Sequence, residues 1–493
     1  TSFDETVYQL QLPTDDQEIL SRGLEILSEW ASGVAFDPEE VESERGVVIE
    51  EWRSGRGASA RVRDKQFPVI LHGSRYAERL PIGTRESLET FDYESLVRFY
   101  RDWYRPDLMA IVAVGDFDAA TMRKNIVDRF SELENPESPR ERFESDVPNH
   151  DETLVSIVTD PELTTSNVSA LWKYEAPEQT TVGDYRDSLV ESIFNSLLNA
   201  RLRELTQQAE PPYLNAYSSD GSFIGGVDLY TIGAAVEAAG IERGLQALLT
   251  ESERARRFGF AESELERTRQ NFLRGYQRFY EERDNAASGG FAAEYIRNFL
   301  EKESFPGIEF EYALVKKHVP TITVDEINAV ARRVFGEENR VISATLPEKE
   351  GLEVPAEAEI LASFDELSGV ELEPWVDRTR EGGLITTLPV AGSITGRTEI
   401  DTLGATLLEL SNGARVFVKS TDFKDDELLV RSFSPGGYSL STVDQHMSAS
   451  AADQVVAMGG VSTFSMVEMQ RKLAGKAVRV SPSIGELTEG MSC

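Results

Sequence analysis

TFDYESLVRFYRDWYRPDLMAIVAV, residues 90–114, lines up without a gap on TITVDEINAVARRVFGEENRVISAT, residues 321–345, at an offset of 231 (321 − 90). Thr90 meets Thr321, Leu96 meets Ile327, Phe99 meets Val330, Arg101 meets Arg332, Tyr104 meets Phe335 and Ile111 meets Ile342. Each copy reads as a capped amphipathic helix feeding an apolar strand. The gapless register points to duplication and so to two sibling domains, residues 1–145 and 150–345. After the first copy, GDFDAATMRKNIVDRF adds a Gly115 turn, an Asp118 cap and a helix with Met122, Ile126 and Phe130 on one face. A buried strand at 110–114 followed by such a helix is an α/β or α+β grammar.

Between the copies, residues 132–152 are polar and carry three prolines, the composition of a linker. The second domain opens on an alternating strand, SNVSALWKY at 166–174, and includes a helix around 265–282 whose aromatic residues suit core and packing surface. From 346 to 395 the composition shifts to Pro, Glu and Gly, as expected of a tether between halves. LLELSNGARVFVKS, 407–420, is a hairpin signal around Asn412 and Gly413, and it opens a third domain over 396–493.

A length of 493 residues suits about three domains. Asp and Glu outnumber Lys and Arg by 86 to 50, a formal charge of −36 that opposes binding to nucleic acid or an anionic membrane. The single cysteine, Cys493, excludes an internal disulfide and any cysteine-based metal site. No apolar run reaches the roughly 18 residues needed to span a bilayer. Compartment and oligomeric state are not legible.

VESERGVVIEEWR, 41–53, is the segment with chemical content. As a helix it lines Val41, Glu44, Val48 and Glu51 along one stripe, with carboxylates where packing would place leucine. Glu44 and Glu51 point the same way about 10 Å apart, too far to grip one ion together. A solvated acidic face is the alternative. The four histidines, His72, His150, His318 and His446, have no second histidine at metal-ligand spacing, so no complete zinc motif is present.

Four stretches carry a resemblance: TSFDETVYQLQLP at 1–13, ESERGVVIEEWR at 42–53, the run PIGTRESLETFDYESLVRFYRDWYRPDLMAIVAVGDFD at 81–118, and LNARLRELTQQAEPPYLNAYSS at 198–219. Together they resemble the pitrilysin/insulinase family of zinc endopeptidases, in order and over essentially the whole chain. The resemblance implies an α+β fold of repeated two-layer α/β sandwich domains, two halves closing on a chamber, and cleavage of unfolded peptides or small proteins with Zn2+. It makes Glu51 a zinc ligand and Glu44 its supporting carboxylate. Thr1 and Ser2 then end the substrate-aligning edge strand, where a peptide adds as a further strand. The family's H-x-x-E-H motif falls before Thr1 when its spacing is counted back from Glu51, so the chain is expected to be a fragment, inactive alone. The rival expectation is a non-catalytic family member serving as partner subunit or scaffold.

Overall fold

The computed structural model describes residues 1–143, 145–378, 380–385, 387–423 and 427–493, and it divides into two compact units, Thr1–Trp375 and Val376–Cys493. Linker position 144 and tether positions 379 and 386 lie outside the described residues.

The first unit begins with an extended run and then the helices α1 (Gln17–Ser32), α2 (Pro38–Ser54), α3 (Ala58–Ile70), α4 (Arg85–Thr90), α5 (Tyr93–Trp103) and α6 (Ala119–Phe130). Asp16, Asp37, Asp92 and Asp118 cap four of them by accepting N–H groups of the first turn. There follow β1 (Leu154–Asp160), β2 (Ser166–Glu175), α7 (Val182–Leu205), β3 (Asn215–Ile224), β4 (Val227–Val236) and α8 (Ile241–Phe258). Next come α9 (Glu262–Glu281), α10 (Ser288–Glu301), α11 (Ile308–His318), α12 (Val324–Val334), β5 (Arg340–Pro347) and α13 (Glu357–Gly369).

The five strands form one sheet in the order β1-β5-β2-β4-β3, with β1 and β5 parallel and the other pairs antiparallel. The alternating stretch at 166–174 is β2, paired on both sides. One face of the sheet carries α7, α8 and α12. On α7, Leu189, Ile193, Phe194, Leu197 and Leu198 are all buried, each worth about 1.5–3 kcal/mol of apolar burial. Phe194, Trp172, Tyr230 and Phe335 form the aromatic centre, with ring centroids 5.3–6.4 Å apart. The other face is covered by α3, whose Ile70 packs on Leu171 and Val341.

Two sequence expectations change. Residues 109–114 belong to no helix or strand, Ile111 is exposed, and no strand pairs with them among the described residues. The residues 231 positions later form β5, which has β1 and β2 as ladder partners. The periodicity is shared; the strand needs neighbours to satisfy its backbone. Within the expected tether, α13 folds onto the core with Ile360 and Leu367 buried, and Trp375 lies 5.3 Å from the Arg201 guanidinium. Its Pro, Glu and Gly surroundings hide an apolar stripe of Ile360, Phe364 and Leu367 at helical spacing.

The helical layers also share a contact that the repeat alone does not reveal. Arg45 of α2 donates to the Phe91 carbonyl and Arg269 of α9 to the Ile322 carbonyl. The offset of 231 equates positions 91 and 322, and it equates the caps Asp92 and Thr323 as well.

In the second unit, β6 (Ile394–Ile400), β7 (Ala405–Leu410) and β8 (Arg415–Val418) form one antiparallel sheet. A second sheet joins β9 (Arg431–Pro435), β10 (Ser481–Ile484) and β11 (Thr488–Ser492) in the order β10-β11-β9. The hairpin expected at 407–420 is β7–β8, with Gly413 at φ +84° taking the left-handed turn position.

Candidate metal-ligand helix and its supports

Helix α2 carries the two singled-out carboxylates. Asp37 caps it by accepting from the N–H groups of Glu39 and Glu40, and Pro38 opens the first turn. It buries no residue completely. Its anchor is Arg45, whose side chain is 12 % exposed. The guanidinium donates to the carbonyls of Leu88 (2.6 Å) and Phe91 (3.1 Å), pairs with Glu42 at 3.0 Å, and lies 3.9 Å over the Phe91 ring. Glu50 is paired to Arg53 at 2.7 Å.

Glu44 and Glu51 stay exposed, and neither side chain has a hydrogen-bond or ion-pair partner among the described residues. Seven residues turn a helix by nearly two full turns, so both fall at one border of the Arg45 face. Of the six glutamates of α2, Glu42 and Glu50 pair with arginines, while Glu39, Glu40, Glu44 and Glu51 have no side-chain partner among the described residues. That separation is electrostatically economical: the paired carboxylates stabilise the helix locally, and the unpaired ones keep their full acceptor capacity.

The helix after α2 ties this layer to the sheet. Arg61 of α3 donates to both Asp160 oxygens (2.7 Å each) and to Glu162 (2.7 Å). These bonds hold the Asp160 carboxyl down at about 2. At the other end of α3, the buried Lys173 ammonium donates to the Ile70 carbonyl at 2.8 Å. Burial pulls Lys173 down to about 8.

Thr1 and Ser2 are exposed. The Ser2 N–H donates to the Glu5 carbonyl at 2.9 Å, and the Thr1 hydroxyl lies 3.4 Å from that of Thr6. The following residues fix this end: the Tyr76 hydroxyl donates to Asp4 at 2.7 Å, and Phe3 packs edge-on against Tyr76 at 5.5 Å. No hydrogen bond among the described residues joins Thr1 or Ser2 to Glu44 or Glu51. The structure thus brings the two glutamates onto one stripe and anchors the N-terminal residues separately.

A catalytic zinc site takes three protein ligands. Among the described residues, no group of three or more His, Cys, Asp or Glu is arranged to hold a metal ion. His150 is buried with Nδ1 2.7 Å from the Glu152 carbonyl, and His446 packs against Tyr438. These residues alone do not fit a zinc ion, and Glu51 is at most one ligand of it.

A family model described as the Peptidase M16 inactive domain matches residues 90–272. The zinc protease PQQL-like of Arabidopsis thaliana is 32% identical over 474 residues, covering 95% of this chain and 46% of that protein. The crystal structure of the periplasmic protease PqqL from Escherichia coli superposes with a TM-score of 0.72 at 23% identity, over 100% of this chain and 54% of that one. Pitrilysin itself matches at TM-score 0.57 and 14% identity, over 97% of this chain and 51% of pitrilysin. The chain belongs to the pitrilysin/insulinase, or M16, family. It spans about half the length of the M16 relatives it matches. Its α+β architecture is the M16 fold. Glu44 and Glu51 precede residue 90, so the M16 inactive-domain match does not include them.

Arg45, Asp160 and Lys173 were not singled out from the sequence. The offset of 231 sets Arg45 against Tyr276, so its match to Arg269 shows only in the shared carbonyl contact. Asp160 and Lys173 act through tertiary contacts that leave no local pattern.

Proposed function

We propose that this chain is part of a zinc-dependent metalloendopeptidase that hydrolyses unfolded peptides or small proteins within an enclosed chamber. In this reading Glu51 is a carboxylate ligand to the metal, and the other ligands come from outside these 493 residues. Glu44, two turns away on the same stripe, orients the ligand set and is not itself bound to the metal. Thr1 and Ser2 align the substrate through their backbone. The partners are peptides; the charge of −36 argues against nucleic acid and anionic membranes.

The observation that carries this reading is the division of labour on α2. Glu42 and Glu50 are neutralised by Arg45 and Arg53, whereas Glu44 and Glu51 are unpartnered. Glu39 and Glu40 are unpaired too, but they sit in the first turn, where the helix dipole favours acidic groups; Glu44 and Glu51 lie beyond that turn and share one stripe. Relatives named zinc proteases point the same way.

The test is turnover of an unfolded peptide by the full-length protein, before and after chelation and zinc restoration. Cleavage lost on chelation and restored by zinc is expected, with Glu44→Gln retaining most metal while activity falls about 10–100-fold. Turnover indifferent to chelation rejects the proposal. Bound zinc with no turnover on any unfolded peptide favours the non-catalytic scaffold.

A further inference from the structure

Of the four histidines, His150 alone is buried, at 8% exposed, and it stands where the linker meets the sheet. Asn339, the residue that leads into β5, clasps its backbone from both sides. The His150 N–H donates to the Asn339 Oδ1 at 2.8 Å, and the Asn339 N–H donates to the His150 carbonyl at 2.9 Å. Asn339 is held at φ +56°, and its own carbonyl accepts from the Lys173 N–H of β2 at 3.2 Å. The linker, β2 and the approach to β5 therefore meet at one imidazole.

That ring is set for one protonation state. Nδ1 lies 2.7 Å from the Glu152 carbonyl, which can only accept, so Nδ1 carries the hydrogen and Nε2 keeps a lone pair. Nε2 is shielded from solvent and has no hydrogen-bond partner among the described residues. The charged and titratable groups acting on the ring are Lys173 from β2, His72 from the turn after α3, and Glu152 from its own segment. Asn339 is neutral, and Arg340 beside it turns away to the Thr153 hydroxyl and the Phe364 ring. Lys173 is 4% exposed, and its ammonium is held by the Ile70 carbonyl. A proton arriving at Nε2 would be buried without an acceptor and near a buried ammonium, the costly combination for a charge. Burial is the largest influence and draws His150 below the ordinary histidine range; Lys173 and His72 add to it against the pull of the Glu152 carbonyl.

We propose that this junction is an acid-opened clasp: protonation of His150 at Nε2 releases the end of the linker from Asn339 and β2, and the neutral imidazole keeps it closed. A histidine depressed by folding leaves the closed state at full strength above its unfolded value of about 6.5. The clasp weakens as pH falls from there through the folded value, and then levels off. One proton limits the rise in opening to about tenfold per pH unit. The clasp involves no metal and stands apart from Glu44 and Glu51.

The test uses the full-length protein labelled with carbon-13 at histidine Cε1, titrated by NMR between pH 8 and 5. Amide exchange of 146–153 and 336–341 is followed over the same interval and corrected for intrinsic rates. The His150 resonance, assigned by its loss in His150→Asn and His150→Gln, should titrate below about 6.5. Opening of both segments should rise at least about threefold as it does so. His150→Asn keeps an N–H for the Glu152 carbonyl but cannot take the proton, so it should flatten that rise; His150→Gln carries the same test if the first variant does not fold. Lys173→Met removes the neighbouring charge and should move the His150 midpoint up, a shift that a lysine serving packing alone would not produce. A His150 midpoint at or above 6.5, opening that ignores the titration, an acid response that survives loss of the imidazole, or a midpoint unmoved by Lys173→Met would each overturn the inference.

Discussion

Arg45→Ala is the perturbation that tests how α2 is held. The guanidinium makes two charge-assisted bonds to carbonyls, at 2.6 and 3.1 Å, and covers the Phe91 ring at 3.9 Å. Each such bond contributes about 1–1.5 kcal/mol when its acceptor is only partly shielded, and the cation–π contact adds about 0.5–1 kcal/mol. The pair with Glu42, whose carboxylate is 70% exposed, adds little. The expected loss is about 3 kcal/mol, or roughly a hundredfold faster local opening of α2. Amide exchange of residues 41–53 reads this directly and does not require the whole chain to unfold in one step. Arg45→Lys keeps the charge but not the planar fork and should recover about half of the loss. Arg45→Ala with opening free energy within about 0.5 kcal/mol of wild type would refute the anchoring role.

Three further outcomes concern buried charge. Burial, reinforced by Asp220, Glu191 and Glu301, pushes Asp228 up to about 6, so its ionisation costs stability as pH rises from its ordinary range through 6. Asp228→Asn should therefore stabilise the chain by about 1–2 kcal/mol at pH 7.5 in denaturant titrations, and by nothing at pH 4. Lys173 is depressed to about 8, so the wild-type chain gains stability between pH 8 and 10.5. Lys173→Met should abolish that slope and, after losing the bond to Ile70, gain about 1–2 kcal/mol at pH 7. Asp160 is held at about 2, so its pairing with Arg61 is present at neutral pH and lost as pH falls towards 2. Asp160→Asn should lower the melting temperature at pH 7, with the difference closing in acid.

Local periodicity exposed α5, α6, α9, α12 and β2, because a helix or strand with one buried face writes its spacing into the sequence. Residues 109–114 and 341–345 carry the same apolar pattern, yet only the second is a strand, because strand pairing depends on neighbours that no local window contains. Helix α13 was concealed by the prolines and glycines around it. On α2 the stripe of Glu44 and Glu51 was legible from spacing alone. Their lack of partners was not, since it follows from where Arg45 and Arg53 reach. Lys173 reads as an ordinary polar position of an alternating strand, and only the docking of α3 over that face buries it.

The central claim is that Glu51 binds the metal, and zinc content of the full-length protein decides it. Wild type, Glu51→Gln and Glu50→Gln would be purified alike and their zinc measured after dialysis against a weak chelator, with melting curves to show that each is folded. Glu51→Gln replaces an anionic ligand by a neutral amide, so it should emerge essentially free of zinc, while Glu50→Gln, altering only an exposed pair with Arg53, keeps one equivalent. Full zinc occupancy in Glu51→Gln would contradict the assignment and leave the stripe as an acidic surface.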